Sequence, residues 1–360
     1  MFLAIAEIRH SKLRYILILM TIALIGYLTL ILTALAYGLA QSNRSAVDSW
    51  HASTIVLNKD ADDDLRQSSL TQQQVRAVRT STGTSAALGE LSVSTTTASG
   101  GEKTTAEMLG IDKDQFIYQQ LQPSQGRRFA TSHEALAGDG LKAQGYAVGD
   151  VIVVAGGQKF IITGFVHNAA LSVAPVIYVP LQSWRQLKYG SSTPARSMPA
   201  ASAVVERGTT AHSAPQGTER LNIATFINKL PGYSAQNITF TMMIGFLFVI
   251  TLVIIAIFQY ILTMQKIPNY MVLKIQGIPT WFLVRSMLFQ ALLIAVIGVA
   301  IAAALTALSA AFIPASVPMS FDMELLGAAG LAIVIMSILG SLASVRTITT
   351  IRPTSVVAGE

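Results

Sequence analysis

The hydrophobic positions of this chain are concentrated in four long runs, separated by segments with much shorter patterns. The runs cover residues 15–40, 238–265, 282–312 and 323–345, with very few charged side chains inside them. A bilayer core needs about 20 apolar residues at helical rise, so the pattern predicts four transmembrane helices. One helix is followed by a large gap, and the other three are close together. The first run is too long for a signal-peptide core and lacks an A-x-A cleavage site, so we expect an uncleaved helix.

The gap between the first two runs, residues 41–237, carries the pattern of a folded domain. Short β-branched runs are separated by glycine or asparagine, which is typical of strands joined by tight turns. We expect strands at 53–57, 151–155, 159–166 and 174–180, helices at 71–80 and 218–230, edge strands and loops at 81–105, and a loop at 191–216. The predicted fold class is an α-helical membrane protein with four transmembrane helices and an α+β extracellular domain inserted between the first and second helices.

The distribution of basic residues predicts the orientation. Residues 41–237 are nearly balanced, with 17 Lys/Arg and 15 Asp/Glu. The other eight basic residues all lie at helix ends that four alternating spans place on one side: Arg9, Lys12, Arg14, Lys266, Lys274, Arg285, Arg346 and Arg352. The positive-inside rule makes that side cytoplasmic. We therefore expect both termini inside the cell, with a cytoplasmic amphipathic helix at 1–14, a cytoplasmic coupling region at 266–281, an extracellular loop at 313–322 and a cytoplasmic tail at 346–360.

Composition supports a membrane protein and excludes several other classes. Hydrophobic residues make up 52% of the chain and charged residues only 12%, about half the charge of an ordinary globular domain. That balance excludes intrinsic disorder, a coiled coil and a simple cytosolic enzyme. Cysteine is absent, which excludes disulfides, thiolate metal sites and iron–sulfur clusters. The net charge of +6 arises from the cytoplasmic helix ends, so we expect no nucleic-acid partner.

Catalytic motifs are weak. ATP hydrolysis would need a glycine-rich loop ending in Gly-Lys-Ser/Thr, but GGEKTT at 100–105 has Glu102 between glycine and lysine. VAGGQ at 154–158 lies between predicted strands and is interpreted, like the first motif, as a turn. The five histidines are scattered without metal-ligand spacing. We expect a non-catalytic membrane subunit.

The segment between the second and third runs carries features of a short cytoplasmic helix. Asn269 can cap about two turns that end at Gly277, the usual residue after a helix C-terminus. Tyr270, Leu273 and Lys274 then share one face. Such a helix could dock into a groove of a partner protein or rest on the lipid surface, and the residues alone leave both open.

Longer segments resemble a known family. LKIQGIPTWFLVRSMLFQ at 273–290 and IRPTSVV at 351–357, together with the order of runs, resemble the FtsX-like, MacB-type permeases of ABC transporters. The extracellular segment is similar to the family's G-R-x-F…G-D…V-x-G pattern at Gly126, Arg127, Phe129, Gly149, Asp150 and Gly164. The resemblance implies that 266–281 couples to a separate ATPase, which binds ATP and Mg. Pro268 departs from the family by replacing an acidic residue often found there.

A narrower resemblance concerns haem export. HNAALSVAPVIYVP at 167–180 and INKLPGYSAQNITFTMMIGF at 227–246 resemble haem exporter permeases of Gram-positive bacteria, the heme-regulated transporter type. This resemblance implies a homodimer in the plasma membrane with two copies of a cytoplasmic ABC ATPase. Haem is then the exported substrate, not a resident cofactor.

If haem is the cargo, its ligands must be sought outside histidine, because the predicted spans contain none. Methionine sulfur, tyrosine oxygen and carboxylate can ligate the iron. We expect Glu324, Met242 and Met243 as iron ligands, and the wider candidate set adds Tyr37, Phe240, Phe246, Tyr178, Tyr233 and Arg44. Each has an alternative role: methionine as packing, Glu324 at a helix N-terminus, Tyr233 in an aromatic belt and Arg44 as a headgroup anchor or propionate partner.

Other functions remain compatible with the same architecture. One is a mechanotransmission permease that regulates an extracellular hydrolase, and a second is sensing or export of antimicrobial peptides or drugs. A third is a receptor without an ATPase.

Small residues in the third and fourth runs, such as Gly298, Ala302, Gly327 and Gly330, permit close helix packing in lipid. We expect these two helices to pack within one protomer.

Overall fold

The structure, a computed structural model of the 360-residue chain, describes residues 12–81, 84–97, 100, 103–154, 156–190, 193–194, 198–208, 214–314, 317–342 and 345. The predicted amphipathic segment 1–14 lies mostly outside these residues, and the predicted tail 346–360 lies wholly outside them. In chain order the helices and strands are α1 (Lys12–Ser49), β1 (Thr54–Asn58), α2 (Gln72–Ser81), β2 (Ser85–Thr97), β3 (Thr104–Ile111), α3 (Phe116–Gln120), β4 (Pro123–Gly126), β5 (Glu134–Gly138), α4 (Asp139–Ala143), β6 (Val151–Val154), β7 (Lys159–Val166), β8 (Ala170–Leu171), β9 (Ala174–Pro180), α5 (Leu181–Tyr189), β10 (Ala203–Glu206), β11 (Thr218–Asn222), α6 (Ile223–Lys229), α7 (Tyr233–Ile275), α8 (Thr280–Phe312) and α9 (Met323–Leu342).

Within the described residues, four helices are long and apolar enough to cross a membrane: α1, α7, α8 and α9. Two of them run well beyond the predicted apolar segments. α1 continues to Ser49, and α7 begins at Tyr233 and ends at Ile275. The chain forms two compact units, a membrane unit with residues 1–37, 238–314 and 319–360, and a second unit with residues 38–237 and 315–318. The predicted fold class, four membrane helices with an α/β domain inserted after the first, is confirmed.

Small residues allow the membrane helices to approach closely. A Cβ on Gly298 of α8 would lie 2.7 Å from Cγ2 of Ile22 on α1, and one on Gly340 of α9 would lie 2.7 Å from the carbonyl oxygen of Leu252 on α7. Gly330 faces Val299, where the same distance is 3.1 Å. Close backbone approach replaces the hydrophobic effect as the source of packing energy in lipid. As expected, α8 and α9 pack against each other within the protomer.

A polar cluster joins three membrane helices near their predicted cytoplasmic ends. Lys266 on α7 donates from Nζ to the Tyr15 hydroxyl of α1 at 2.9 Å and to Oε1 of Gln290 on α8 at 3.3 Å. Gln290 also donates to the Tyr15 hydroxyl. Buried polar side chains need such partners in an apolar surrounding, so this cluster fixes the register of α1, α7 and α8.

The extracellular domain is built on a mixed sheet. Its strand order is β11-β1-β10-β2-β3-β9-β5-β7-β4, with β6 paired to β2 and β7, and β8 paired to β9. The β3–β9 and β5–β7 pairs are parallel, and the other pairs are antiparallel. Alternating side chains serve two buried cores. Tyr178 belongs to a core with Trp50 and Phe129, and its neighbour Ile177 belongs to the core with Trp184.

The structure corrects three predictions for this domain. Segment 81–105, expected to form edge strands and loops, contains β2, an interior strand of the sheet. Segment 191–216, expected to be a loop, contains the interior strand β10. Segment 218–230, expected to be one helix, divides into β11 and α6. Strands β7 and β9 have the bounds that their β-branched runs predicted.

The glycines of the extracellular family pattern have a structural role. Gly126 has φ +76°, and a Cβ there would lie 2.2 Å from the carbonyl oxygen of Thr163. A Cβ on Gly164 would lie 2.5 Å from the carbonyl oxygen of Gln125. Only glycine tolerates both the close approach and the positive φ. The pattern therefore marks the β4–β7 contact rather than a ligand site.

Candidate functional site

The proposed iron ligands lie on two different helices of the membrane unit. Glu324 is an exposed residue in the first turn of α9, where Oδ1 of Asp322 accepts hydrogen bonds from the backbone N–H groups of Glu324 at 2.9 Å and Leu325 at 3.0 Å. Asp322 is thus the N-cap, which leaves the Glu324 carboxylate available near the positive end of the helix dipole. Met242 and Met243 lie on α7, where their side chains are 56% and 42% exposed. Glu324 lies on α9 and the two methionines lie on α7, so ligation of one iron by both helices stays a prediction.

The remaining membrane candidates differ in exposure. Phe246 is 61% exposed on the same helix as the methionines. Phe240 on α7 and Tyr37 on α1 are half-buried. An exposed stripe of α7 therefore carries two thioethers and an aromatic ring, which together provide a soft ligand surface for a flat apolar molecule or for a second copy of the chain.

A nearly apolar cavity of about 800 Å³ lies beside the first turn of α9. Its walls come from α8 and α9, with Leu30 of α1. Phe321 and Met323 lie at its edge, and Gly327 opens onto it without a neighbour that a Cβ would meet. Glu324 follows Met323 in the chain but is not one of the residues that line this cavity.

Two candidates, Arg44 and Tyr233, belong to the extracellular domain and already have partners there. Arg44 makes a two-pronged ion pair with Asp48, at 2.8 Å and 2.7 Å, and its third nitrogen lies 3.5 Å from the Tyr233 hydroxyl. Tyr233 is buried in the domain core. An arginine held by a carboxylate fork has less capacity for a propionate. The structure therefore favours a structural role for Arg44 and Tyr233.

Tyr178 is completely buried and is one of the residues that line a cavity of about 870 Å³. Burial raises the pKa of Tyr178 to about 12, and the nearby Ser49 and Trp50 act against that rise. Within the described residues the hydroxyl makes no hydrogen bond of normal geometry. Unpaired buried hydroxyls are rare and costly, which makes Tyr178 notable among the candidates.

The coupling region differs from its prediction. α7 continues without a break through Pro268 to Ile275, so Asn269 does not cap a separate short helix. Gly277 has φ +85°. The N–H of Gly277 donates to the carbonyl of Lys274 and the N–H of Ile278 to that of Leu273, at 3.0 Å each. This pair of bonds is a Schellman motif, so the predicted role of Gly277 as the residue after the helix end is confirmed.

The apolar residues assigned to docking are mostly internal. Tyr270 is 4% exposed and packs with Leu283, Val284 and Met287 of α8, while Leu273 is partly buried against the same cluster. Tyr270 therefore holds the α7–α8 turn together and has little surface left for a partner. Docking through Leu273 and Lys274 stays a prediction. Lys274 is half-buried. The exposed apolar side chains at this turn are Val272, Ile275, Trp281 and Phe282.

The extracellular domain contains a buried carboxylate pair that sequence reasoning missed. Glu90 on β2 and Glu107 on β3 are each 1% exposed. Nη2 of Arg66 lies 2.7 Å from Glu107, and Nε lies 3.6 Å from Glu90. Burial, followed by the adjacent Glu107, raises the pKa of Glu90, while Lys188 and Arg66 oppose the rise. The sequence around β2 gives little hydrophobic alternation, so it offered no signal that could have placed Glu90 inside.

Other chemistry is limited in the described part of the chain. Among those residues, no group of three or more His, Asp and Glu side chains is arranged to hold a metal ion. Gly156 and Gly157 of VAGGQ lie between β6 and β7 and have positive φ, as expected of a turn. The GGEKTT segment leads into β3 at Thr104, although two of its residues lie outside the described ranges.

Comparison with known proteins gives relatives along the whole chain. A protein from Staphylococcus haemolyticus with the provisional name hemin transport system permease protein HrtB is 25% identical, over 99% of this chain and 99% of its own. Two proteins of the same name from Staphylococcus epidermidis strains are 25% and 24% identical, over 89% and 99% of both chains. These relatives are membrane permeases of a Gram-positive genus.

Two solved structures match about half of the chain. The periplasmic region of MacB from Actinobacillus actinomycetemcomitans is 15% identical, covers 48% of this chain and 90% of that one, and has a TM-score of 0.37. The extracellular domain of the noncanonic ABC-type transporter YknZ from Gram-positive bacteria is 16% identical, covers 47% and 100%, and has a TM-score of 0.34.

Family models match both parts of the chain. The MacB-like periplasmic core domain matches residues 16–211, more than half of the sequence. The FtsX-like permease C-terminal domain matches residues 241–353. Together with the four membrane helices and the inserted α/β domain, these matches show that the chain belongs to the FtsX-like, MacB-type family of ABC transporter permeases.

Proposed function

We propose that this chain is the permease subunit that exports haem, driven by a separate cytoplasmic ATPase. The observation that carries the proposal is the similarity over 99% of the chain to a protein named as a hemin transport permease. A permease of an ABC system implies an ATPase partner. We further propose a homodimer with two ATPase copies, with both termini and the α7–α8 turn on the cytoplasmic side, as the basic residues indicate.

Haem would reach the protein from the bilayer and contact the outer ends of the membrane helices. Haem is a flat, largely apolar molecule with two carboxylates, so lateral entry from lipid suits its chemistry. We propose that Glu324 and either Met242 or Met243 ligate the iron, with Phe240 or Phe246 against the ring. The exposed methionines and Phe246 of α7 and the carboxylate at the N-terminus of α9 support this site. Because Glu324 and the methionines lie on separate helices, any movement of α7 relative to α9 would change the distance between the two iron ligands.

The ATPase would transmit its movement to the permease at the α7–α8 turn. In place of Tyr270, we propose that Val272, Ile275 and Trp281 contact the ATPase, because they are exposed by 55%, 66% and 69%. The buried cluster around Tyr270 then transmits the push to both helices as one body, since it joins them tightly. Coupling through packed helices is consistent with rigid displacement rather than local unfolding.

Reconstitution tests the function directly. The permease and its ATPase, placed in liposomes with haem on the cytoplasmic side, should move haem only when ATP is hydrolysed, and an ATPase unable to hydrolyse ATP should abolish the movement. Purified Glu324→Ala and the double variant Met242→Ala, Met243→Ala should each bind haem about tenfold more weakly in a Soret titration, a loss of about 1.4 kcal/mol.

Met264→Ala is the matched control for the methionine pair. Met264 is exposed by 44% on the same helix, α7, but lies far toward its other end. Wild-type haem binding in both site variants would place the site elsewhere. Haem-independent capture of an extracellular hydrolase by a permease that binds no haem would favour the mechanotransmission alternative.

A further inference from the structure

The extracellular domain holds the cavity of about 870 Å³ that Tyr178 borders, and the proposed membrane site makes no use of it. Its walls come from the end of α1, the α3–β4 segment and the loop after β7. Its volume falls within the range of small-molecule sites. All of its lining residues belong to the extracellular domain.

Two histidines that are 116 positions apart in the chain line this cavity: His51 and His167. Nδ1 of His51 lies 2.9 Å from the carbonyl oxygen of Ser49. A carbonyl oxygen can only accept, so Nδ1 carries the hydrogen and Nε2 of the neutral ring keeps its lone pair. Both side chains are exposed to the cavity opening.

His167 is held in the same manner by a carboxylate. Its Nδ1 contacts Oδ2 of Asp139, and the other oxygen of Asp139 accepts a hydrogen bond from the Ser124 hydroxyl at 3.2 Å. A carbonyl or carboxylate partner on one ring nitrogen is the usual support of a histidine whose other nitrogen binds a metal. In both histidines of this cavity, an oxygen atom holds Nδ1 and leaves Nε2 for a metal.

The cavity wall contains two further features of a binding site. The Tyr178 hydroxyl is buried beside Ser49 and Trp50 and makes no hydrogen bond of normal geometry within the described residues, so its proton can be donated to a ligand. His51 and Asn168 both adopt positive φ, at 49° and 53°. Left-handed backbone is uncommon outside glycine and is concentrated at functional sites. A hydrogen bond to a ligand would satisfy the Tyr178 hydroxyl.

The ligand class follows from the number of donors. Two imidazoles are too few to hold a bare divalent ion, which usually takes at least three protein ligands. A metal that already has four equatorial nitrogens needs only one or two axial ligands, as in haem. The buried apolar side chains of Ile117, Leu121 and Val166 also line the cavity and can cover a flat ring.

We propose that this cavity is a second haem site, with His51 or His167 as an axial ligand and Tyr178 as a hydrogen-bond donor. The proposal rests on the proposed haem export, because haem is the cargo named there. A site outside the membrane would receive haem after it leaves the bilayer. It differs from the membrane site in its ligands, so the two can be separated by spectroscopy.

The test uses the full-length protein in detergent, titrated with haem and followed by absorbance and resonance Raman spectra. Wild type should show a histidine-ligated component besides the membrane site. His167→Ala or His51→Ala should remove that component or weaken it at least tenfold, and added imidazole should restore a histidine-type spectrum in the affected variant. Glu324→Ala should keep the component. His133→Ala is the control, because His133 is exposed and bonds to Ser132 outside this cavity.

The outcomes separate the two proposals. Unchanged spectra and affinities in both His51→Ala and His167→Ala, with haem still bound, overturn the second site and leave the export function standing. A wild type that binds no haem overturns both. Where alanine impairs folding, judged from tryptophan fluorescence, His51→Gln and His167→Gln take its place, since glutamine keeps the polarity but supplies no nitrogen lone pair.

Discussion

Glu90 and Glu107 show how much a single residue's role depends on its neighbours in space. Glu90 lies in segment 81–105, which was expected to form edge strands and loops, and Glu107 follows that segment. Both acids are nevertheless buried beside Arg66. Two buried carboxylates that share one guanidinium cannot both ionise without cost. Lys188 adds a second positive charge, and its Nζ donates to the Glu90 carbonyl at 3.0 Å.

The raised pKa of Glu90 predicts a pH-dependent stability of the extracellular domain. Above the ordinary carboxyl pKa of about 4.3, the unfolded chain loses this proton while the folded domain retains it. The stability that protonated Glu90 contributes is therefore fully present below the unfolded pKa. It is lost as the pH rises toward the pKa of Glu90 in the folded domain. The free energy of unfolding should fall by up to about 1.4 kcal/mol per pH unit over part of this range.

Glu90→Gln should remove that slope, because glutamine resembles the protonated acid and does not titrate. Thermal unfolding followed by tryptophan fluorescence checks it, since Trp184 is buried and stacks with Lys188 at 5.4 Å. Glu219→Gln, in the exposed part of β11, is the control. A wild-type slope in Glu90→Gln would contradict the assignment of the pH dependence to Glu90.

The sequence shows which side chains are chemically able to bind haem, but it does not show what those side chains contact in the fold. Tyr178, Tyr233 and Arg44 were selected as available ligands, and the fold places the first two in a core and the third against Asp48. Burial depends on how distant segments meet, which one sequence does not specify. For the same reason, His51 and His167 could not be predicted to line one cavity, because they are far apart in the chain and form no motif.

At the scale of elements, length and periodicity determined what could be predicted. The bilayer sets the length of a spanning helix, so the apolar runs located α1, α7, α8 and α9. Proline and asparagine at 268–269 predicted a new helix start, but α7 passes through them. A proline removes one hydrogen bond, and the packing of Tyr270 on α8 offsets that loss. β2 and β10 were missed because serine, alanine and threonine give little hydrophobic alternation.

The α7–α8 turn gives a prediction about coupling. Ile275→Asp should weaken ATPase association at least tenfold, because an exposed apolar contact contributes about 1.5–3 kcal/mol when it is covered. ATPase stimulation by the permease should fall in parallel. Tyr270→Asp should instead lower the stability of the permease itself, because it places a charge in a buried cluster.

Both variants are measured for thermal stability alone and for affinity to the ATPase. Gln276→Ala, a polar neighbour on the exposed surface, is the control and should behave as wild type. Normal association of both Ile275→Asp and Trp281→Asp would show that the ATPase contacts a different surface.

Helix packing in the membrane unit gives a second prediction at this scale. Gly340→Ala should destabilise the permease by about 1–3 kcal/mol, because the added Cβ would lie 2.7 Å from a backbone oxygen of α7 and rigid backbones must separate. Gly327→Ala on the same helix meets no atom within 4 Å. It should be neutral or slightly stabilising, since alanine favours the helix. Thermal unfolding in detergent compares the two, and equal losses would refute close α7–α9 packing.

At the scale of the whole molecule, physical constraints made the class predictable and left the cargo open. Hydrophobic length predicts spanning helices, and the distribution of basic residues predicts sidedness. The inserted domain and the family followed from patterns along most of the chain. Cargo depends on a few side chains whose spatial arrangement is not encoded in any periodicity, so the haem ligands remain proposals. Glu324 could be selected only because an acid at the edge of an apolar run is unusual.

The orientation itself is testable because the chain contains no cysteine, so each introduced thiol is the only one present. Gln144→Cys, exposed in the extracellular domain, and Gln276→Cys, exposed at the α7–α8 turn, mark the two predicted sides. Intact cells treated with a membrane-impermeant maleimide should label Gln144→Cys at once and Gln276→Cys only after lysis. The unmodified chain measures background, and haem tolerance of the cells checks that each variant functions. Labelling of Gln276→Cys in intact cells would reverse the topology, and with it the assignment of the α7–α8 turn to a cytoplasmic ATPase.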